Sequence, residues 1–110
     1  MDTLSRLEET IAQRLAAADA SSSYVASLHA RGLPVIARKL GEEAVEAIVA
    51  ALSGTREELT GEAADVLFHL LVLLGEKGVP LAEVLAELDR REGTSGLDEK
   101  ASRPNRDKDV

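Results

Sequence analysis

Between Lys39 and His69 two helix-forming segments meet at Ser53-Gly54-Thr55, and their acidic residues are placed symmetrically about that break. Glu46 is eight residues before Gly54 and Glu62 eight after it; Glu43 and Asp65 are each eleven away, and Lys39 and His69 each fifteen. If the chain folds back at Gly54 into antiparallel helices, equal offsets mean equal heights, because each residue rises about 1.5 Å. The acidic clusters then share one level, roughly 12–17 Å from the turn. At about 100° per residue, Glu42, Glu43 and Glu46 span an arc of about 100° that also takes in Lys39. On the second segment Glu58, Glu62, Asp65 and His69 follow i, i+3, i+4 spacing and form one line.

Carboxylates converging between two helices repel each other unless a hard cation neutralises them, and magnesium takes oxygen ligands while keeping waters and substrate phosphates in its shell. A solvated acidic face is the ordinary alternative. Two features weigh against it. The helix that carries Glu42 is otherwise apolar over most of its circumference, through Ile36, Leu40, Val45, Ile48 and Leu52. The helix after Glu62 is apolar nearly all round from Val66 to Leu74, with His69 as the one polar residue of that run. Helices of this kind are covered on most sides, and acids on them need partners. His69, one turn beyond Asp65, is expected to hydrogen-bond the Asp65 carboxylate and to support the site; a satisfied core histidine is the alternative.

The chain has 110 residues, enough for one domain with its own core. It contains one Tyr, one Phe, no Trp and no alternating β-branched run, so the expected fold is all-α with an aliphatic core. The periodicity predicts helices over 4–18, 24–30, 34–52, 56–77 and 80–91. Ser5 with Glu8, or a start two residues earlier, opens the first; Ser23 caps the second and Gly32 ends it. Thr55 with Glu58 is a capping-box match for the fourth, and Gly61 is a possible bend in it. The expected architecture is a bundle of four to five helices around the antiparallel hairpin, in a domain over 1–92. Residues 93–110 read as a polar, mobile tail. Two long helices apolar on most sides have too little cover from three lesser ones, which predicts a homodimer.

A formal charge of −7 and a pI near 4.8 argue against nucleic acid or an anionic membrane as the main partner. The absence of cysteine removes disulfides and thiolate chemistry and fits a reducing compartment. The acidic N-terminus does not read as a secretory signal, and no apolar run approaches the roughly 20 residues of a membrane span. A cytoplasmic protein is expected.

The pattern Glu42-Glu43-x-x-Glu46, fifteen residues, Glu62-x-x-Asp65 resembles the signature of the all-α nucleoside triphosphate pyrophosphohydrolases, the MazG-like superfamily. Three segments in order, SSSYVASL (21–28), ARKLGEEAVEAIVAA (37–51) and ELTGEAADVLFHLLVLL (58–74), are similar to one branch, phosphoribosyl-ATP pyrophosphohydrolase of histidine biosynthesis. The resemblance covers roughly residues 4–91 and matches the stand-alone form. It implies Mg²⁺-dependent hydrolysis of the α–β phosphate bond of phosphoribosyl-ATP, giving phosphoribosyl-AMP and pyrophosphate. It implies a metal site of Glu42, Glu43, Glu46, Glu62 and Asp65. Sequence does not separate direct ligands from the carboxylate that orients water; Glu43 is the choice for the latter. Lys39 becomes a candidate phosphate contact, and Ser23, Tyr24 and His69 candidate substrate contacts. Two other readings remain open: a pyrophosphohydrolase of the same superfamily acting on canonical or damaged (d)NTPs, and a non-catalytic helical dimer that binds nucleotide or a protein partner.

Overall fold

A computed structural model describes residues 2–17, 19–93 and 96–103. Six helices follow one another: α1 Thr3–Ala17, α2 Tyr24–Arg31, α3 Leu33–Ser53, α4 Arg56–Glu76, α5 Leu81–Arg91 and α6 Gly96–Ser102. Among the described residues there is no strand, so the all-α expectation holds, and no helix is long and apolar enough to cross a membrane. α3 and α4 form the antiparallel hairpin, and both run unbroken through Gly41 and Gly61. The tail differs from expectation, since residues 96–102 are helical. Its last residues, 104–110, lie outside the described ones.

Local chemistry explains the ends. Asp2, rather than a Ser5–Glu8 box, opens α1: its Oδ1 accepts the Ser5 N–H at 2.8 Å. Glu8 is thereby free to reach across the fold and accept the Leu81 N–H at 2.6 Å. That places a carboxylate at the start of α5, where Pro80 has no side chain to cap with. Thr55 Oγ1 accepts the Glu58 N–H at 3.1 Å, as its capping pattern predicts. Gly32, at φ 99°, ends α2 and donates its N–H to the carbonyls of Leu28 and His29. An L side chain is strained at that φ, so the sharp step from α2 into α3 depends on glycine.

The hairpin turn depends on a second glycine. A Cβ on Gly54 would stand 2.6 Å from Glu58 Oε2, 3.0 Å from the Ala50 carbonyl oxygen and 3.1 Å from Ala50 Cα. The last two are backbone atoms and cannot rotate away. Gly54→Ala is expected to destabilise the fold by about 1–3 kcal/mol, the usual cost of overpacking. Urea denaturation would show it as a lower midpoint at unchanged slope.

The core lies at the end of the hairpin remote from Gly54. Ile11, Val25, Leu28, Ile36, Leu71, Val72 and Leu81 make one buried cluster, with Leu7, Leu15 and Phe68 packed against it. Ile36 and Val72 are each eighteen residues from Gly54 and fully buried. His29 Nδ1, 2.8 Å from Glu76 Oε2, ties α2 to the end of α4 on the same side. Helices α1 and α2, with Leu81 at the start of α5, therefore cover one half of the hairpin. The other half is bare in the single chain: Val45, Ile48, Val49 and Leu52 on α3 are exposed, Leu52 by 83%. α3 is thus not covered on most sides by its own chain, in line with the shortage of cover read from its apolar circumference.

Candidate metal and nucleotide site

The carboxylates meet just above the core, where the wrapped half of the hairpin gives way to the bare half. Glu43 from α3 and Glu62 and Asp65 from α4 each bring an oxygen into a group whose members all lie within 4.8 Å of one another. Glu43 and Glu62 are partly buried and Asp65 is exposed. Glu43 Oε2 and Glu62 Oε2 are themselves buried and have no hydrogen-bond partner among the described residues. Carboxylates supply no donor to each other unless one is protonated. Burial first, then contact with Glu46 and with Glu43, pushes the Glu62 carboxyl from its ordinary 4.5 up to about 7. Glu46 thus belongs to the group through Glu62. A cavity of about 460 Å³ leads from Glu46, Glu62 and Asp65 toward the turn, walled by Val49, Ala50 and Gly61.

Two bare buried oxygens among four acids make a donor set made only of hard oxygens. It fits a divalent cation, which would satisfy both orphaned atoms and offset the burial and the neighbouring acids that raise the Glu62 pKa.

Lys39 stands beside the group, its Nζ 3.9 Å from Glu43 Oε1 and 3.5 Å from Glu42 Oε2. Tyr24, then Glu42 and Glu43, raise its pKa against the opposing effect of burial. On the far side of Asp65, His69 is buried and bridges two elements. Its Nδ1 is 2.8 Å from the Asp65 carbonyl oxygen and its Nε2 3.0 Å from the Tyr24 hydroxyl. The Phe68 ring stacks with Tyr24 at 22° and 6.1 Å, closing a cluster of three rings.

Against known proteins, the model of the family described as phosphoribosyl-ATP pyrophosphohydrolase matches residues 4–92. The chain belongs to the phosphoribosyl-ATP pyrophosphohydrolase family. A relative in Rhizorhabdus wittichii, named phosphoribosyl-ATP pyrophosphatase, is 70% identical over 102 residues, covering 93% of this chain and 95% of the relative. Relatives of the same name in Erythrobacter litoralis and Novosphingobium aromaticivorans are 66% and 64% identical. Both alignments cover 94% of this chain, and 98% and 96% of the respective relative. The branch that the three sequence segments resemble is therefore the right one.

Of the residues that the family pattern singles out, Glu43, Glu46, Glu62 and Asp65 come together, with Lys39 beside them. Glu42 does not join them. Its carboxylate lies outward, 3.4 Å from Arg38 Nε and 3.5 Å from Lys39 Nζ. His69 bonds the backbone of Asp65 and not, as expected, its carboxylate. Ser23 is the N-cap of α2, accepting the Ala26 N–H at 3.0 Å. Ser23→Ala is expected to lower stability by about 1 kcal/mol through the lost cap, read from chemical denaturation. The direct Tyr24–His69 bond was not foreseen. The one available signal was composition: Tyr24 and Phe68 are the chain's only Tyr and Phe, and Phe68 directly precedes the single polar residue of the apolar run.

Proposed function

We propose that this protein hydrolyses the α–β phosphoanhydride of phosphoribosyl-ATP with Mg²⁺ bound at Glu43, Glu46, Glu62 and Asp65. The product pair is phosphoribosyl-AMP and pyrophosphate, an early step of histidine biosynthesis. Family membership over 4–92 carries the reaction class. The convergence of three carboxylates with two orphaned oxygens carries the site. Bound there, the cation would neutralise the polyphosphate charge and the charge that builds on the leaving pyrophosphate.

The chain's own groups do the rest. Glu62 and Asp65 on α4 face Glu43 and Glu46 on α3, so the hairpin fixes the donor set from both sides. Glu43 is the carboxylate that orients the attacking water. Its Oε1 is held near Lys39, and the carboxylate accepts a proton from the water, whose freed lone pair is aimed at the α-phosphorus. The new bond is between the water oxygen and Pα; the bond that breaks is the one from Pα to the bridging oxygen, which leaves with the pyrophosphate. Lys39 Nζ offers positive charge to a phosphate oxygen on the same side. Tyr24, half-exposed beside the site, contacts the nucleotide, with His69 behind it. Glu42 keeps Lys39 and Arg38 in place, outside the metal set.

The bare half of α3 supports a homodimer: Val45, Ile48, Val49 and Leu52 form an apolar face that a second copy would cover. A mass of two chains at micromolar concentration is expected. The same reading places the enzyme in the cytoplasm, with the nucleotide it acts on.

The deciding assay is pyrophosphate release from phosphoribosyl-ATP with Mg²⁺ and with chelator, beside a panel of dNTPs. Mg²⁺-dependent turnover selective for phosphoribosyl-ATP is expected. Turnover of dNTPs alone would assign another substrate to the same site. No turnover by folded protein would remove the catalytic reading.

A further inference from the structure

Tyr24, His69 and Asp65 form a hydrogen-bonded chain with a fixed direction. The Asp65 carbonyl oxygen, 2.8 Å from His69 Nδ1, can only accept, so Nδ1 carries the proton. With the Nδ1 proton directed at that carbonyl, Nε2 is the acceptor of the ring, and the Tyr24 hydroxyl at 3.0 Å is its donor. The imidazole is only 5% exposed. It packs edge-on against Tyr24 and Phe68, each at 84° and with ring centroids 5.8 and 5.2 Å away. Tyr24, by contrast, is 47% exposed. A phenol has one proton to give, and here it is given inward. What the oxygen keeps for a ligand is its lone pairs. An ionised phosphate has no proton to offer them; a sugar hydroxyl or a base N–H does.

We infer that His69 is a positioning residue that makes Tyr24 an acceptor-only group, so that Tyr24 recognises a hydrogen-bond donor of the nucleotide, a sugar hydroxyl or a base N–H, and not a phosphate oxygen. This rests on the nucleotide-binding reading above and adds to it the polarity of one contact. The same residue, Asp65, supplies a carboxylate to the acidic group and the carbonyl that orients His69. The Tyr24 oxygen is therefore referenced to the turn of α4 that carries the site, about 5.4 Å along the helix.

Two measurements test it. Nitrogen NMR of the imidazoles, with His69 assigned by comparison with His29→Gln, reads the proton directly: protonated Nδ1 and bare Nε2 are expected at neutral pH. A protonated Nε2 would reverse the hydrogen bond and overturn the inference. The second uses substrate analogues that each lack one donor, a hydroxyl of either sugar or the base N–H. The wild type should show KM raised about three- to tenfold for one of them, the range of a single neutral hydrogen bond, with kcat little changed. That ratio should fall to about one in Tyr24→Phe and in His69→Asn. It should persist in His69→Gln, whose side-chain oxygen can stand near Nε2 and accept the Tyr24 proton. No discrimination among the analogues by the wild type, or an unchanged ratio in Tyr24→Phe, would overturn the inference. Tyr24→Phe removes only the hydroxyl of a half-exposed residue, so it decides the matter even where a His69 variant fails to fold. If the wild type does not turn over phosphoribosyl-ATP at all, the nucleotide reading falls and takes the ligand half with it. The NMR result still decides the direction of the bond.

Discussion

Glu62→Gln should lower kcat/KM by about a thousandfold or more while raising the thermal midpoint of the metal-free protein at pH 8. The two effects have opposite signs for one reason. Glu62 carries a buried oxygen without a donor and sits in contact with Glu43 and Glu46. With no metal present, ionising it adds charge to a crowded acidic group. Glutamine has the same shape, carries no charge, and its amide can donate to either neighbour, so the apo fold gains. With metal present, a charged ligand is lost, and charge stabilisation worth several kcal/mol in the transition state goes with it. Glu42→Gln is the comparison. Its carboxylate pairs outward with Arg38 and Lys39, and we expect less than a tenfold change in kcat/KM. Near-normal turnover by Glu62→Gln would remove Glu62 from the metal set. An equal loss in Glu42→Gln would mean that the α3 acids turn inward when substrate binds.

Much of this site was legible before any coordinates. The symmetry about Gly54 needed only helical rise, and Glu43 and Asp65, at equal offsets, do meet. Helical spacing does not resolve the finer placements. Adjacent residues on a helix differ by about 100°, so an arc that wide admits both Glu42 and Glu43 although only one turns inward. A better signal was available: Arg38, four residues before Glu42, pairs with it along the outer face. His69 was set against the wrong oxygen of Asp65, because spacing gives proximity at i−4 but does not choose carboxylate or carbonyl. The Glu8–Leu81 cap spans 73 residues and leaves no local trace. α6 has no apolar stripe to reveal it; its Leu97 is 84% exposed. An apolar circumference also says that a helix is covered, not by what. Here the chain covers one half of the hairpin and leaves the other half for something else.

Divalent metal should stabilise the fold in a pH-dependent way, and Glu62 fixes the sign. Its folded-state pKa is raised, from 4.5 to about 7. Between those values the folded chain holds a proton that the unfolded chain has released. Folding stability from this group is therefore fully present below pH 4.5, falls as pH rises to about 7, and is flat beyond. Glu87, held down to about 2 chiefly by its hydrogen bonds to Arg90 and Arg91, contributes the other way, and its window from about 2 to 4.5 does not overlap. A cation must displace the Glu62 proton, so Mg²⁺ should bind more tightly at pH 7.5 than at 5.5. It should release close to one proton per site near pH 6 and almost none at pH 8.5. A metal at about a hundred times its Kd stabilises by about 2.7 kcal/mol, which for a domain of this size raises Tm by roughly 10–20 °C. Calorimetric titrations in buffers of different ionisation enthalpy count the protons, and thermal scans with and without Mg²⁺ at the two pH values give the shift. In Glu62→Gln the proton release should vanish along with the pH dependence of the metal-induced shift. If the wild type shows equal shifts at pH 5.5 and 7.5 and no proton release, Glu62 is not the group that the metal deprotonates, and the donor set must be built from Glu43, Glu46 and Asp65.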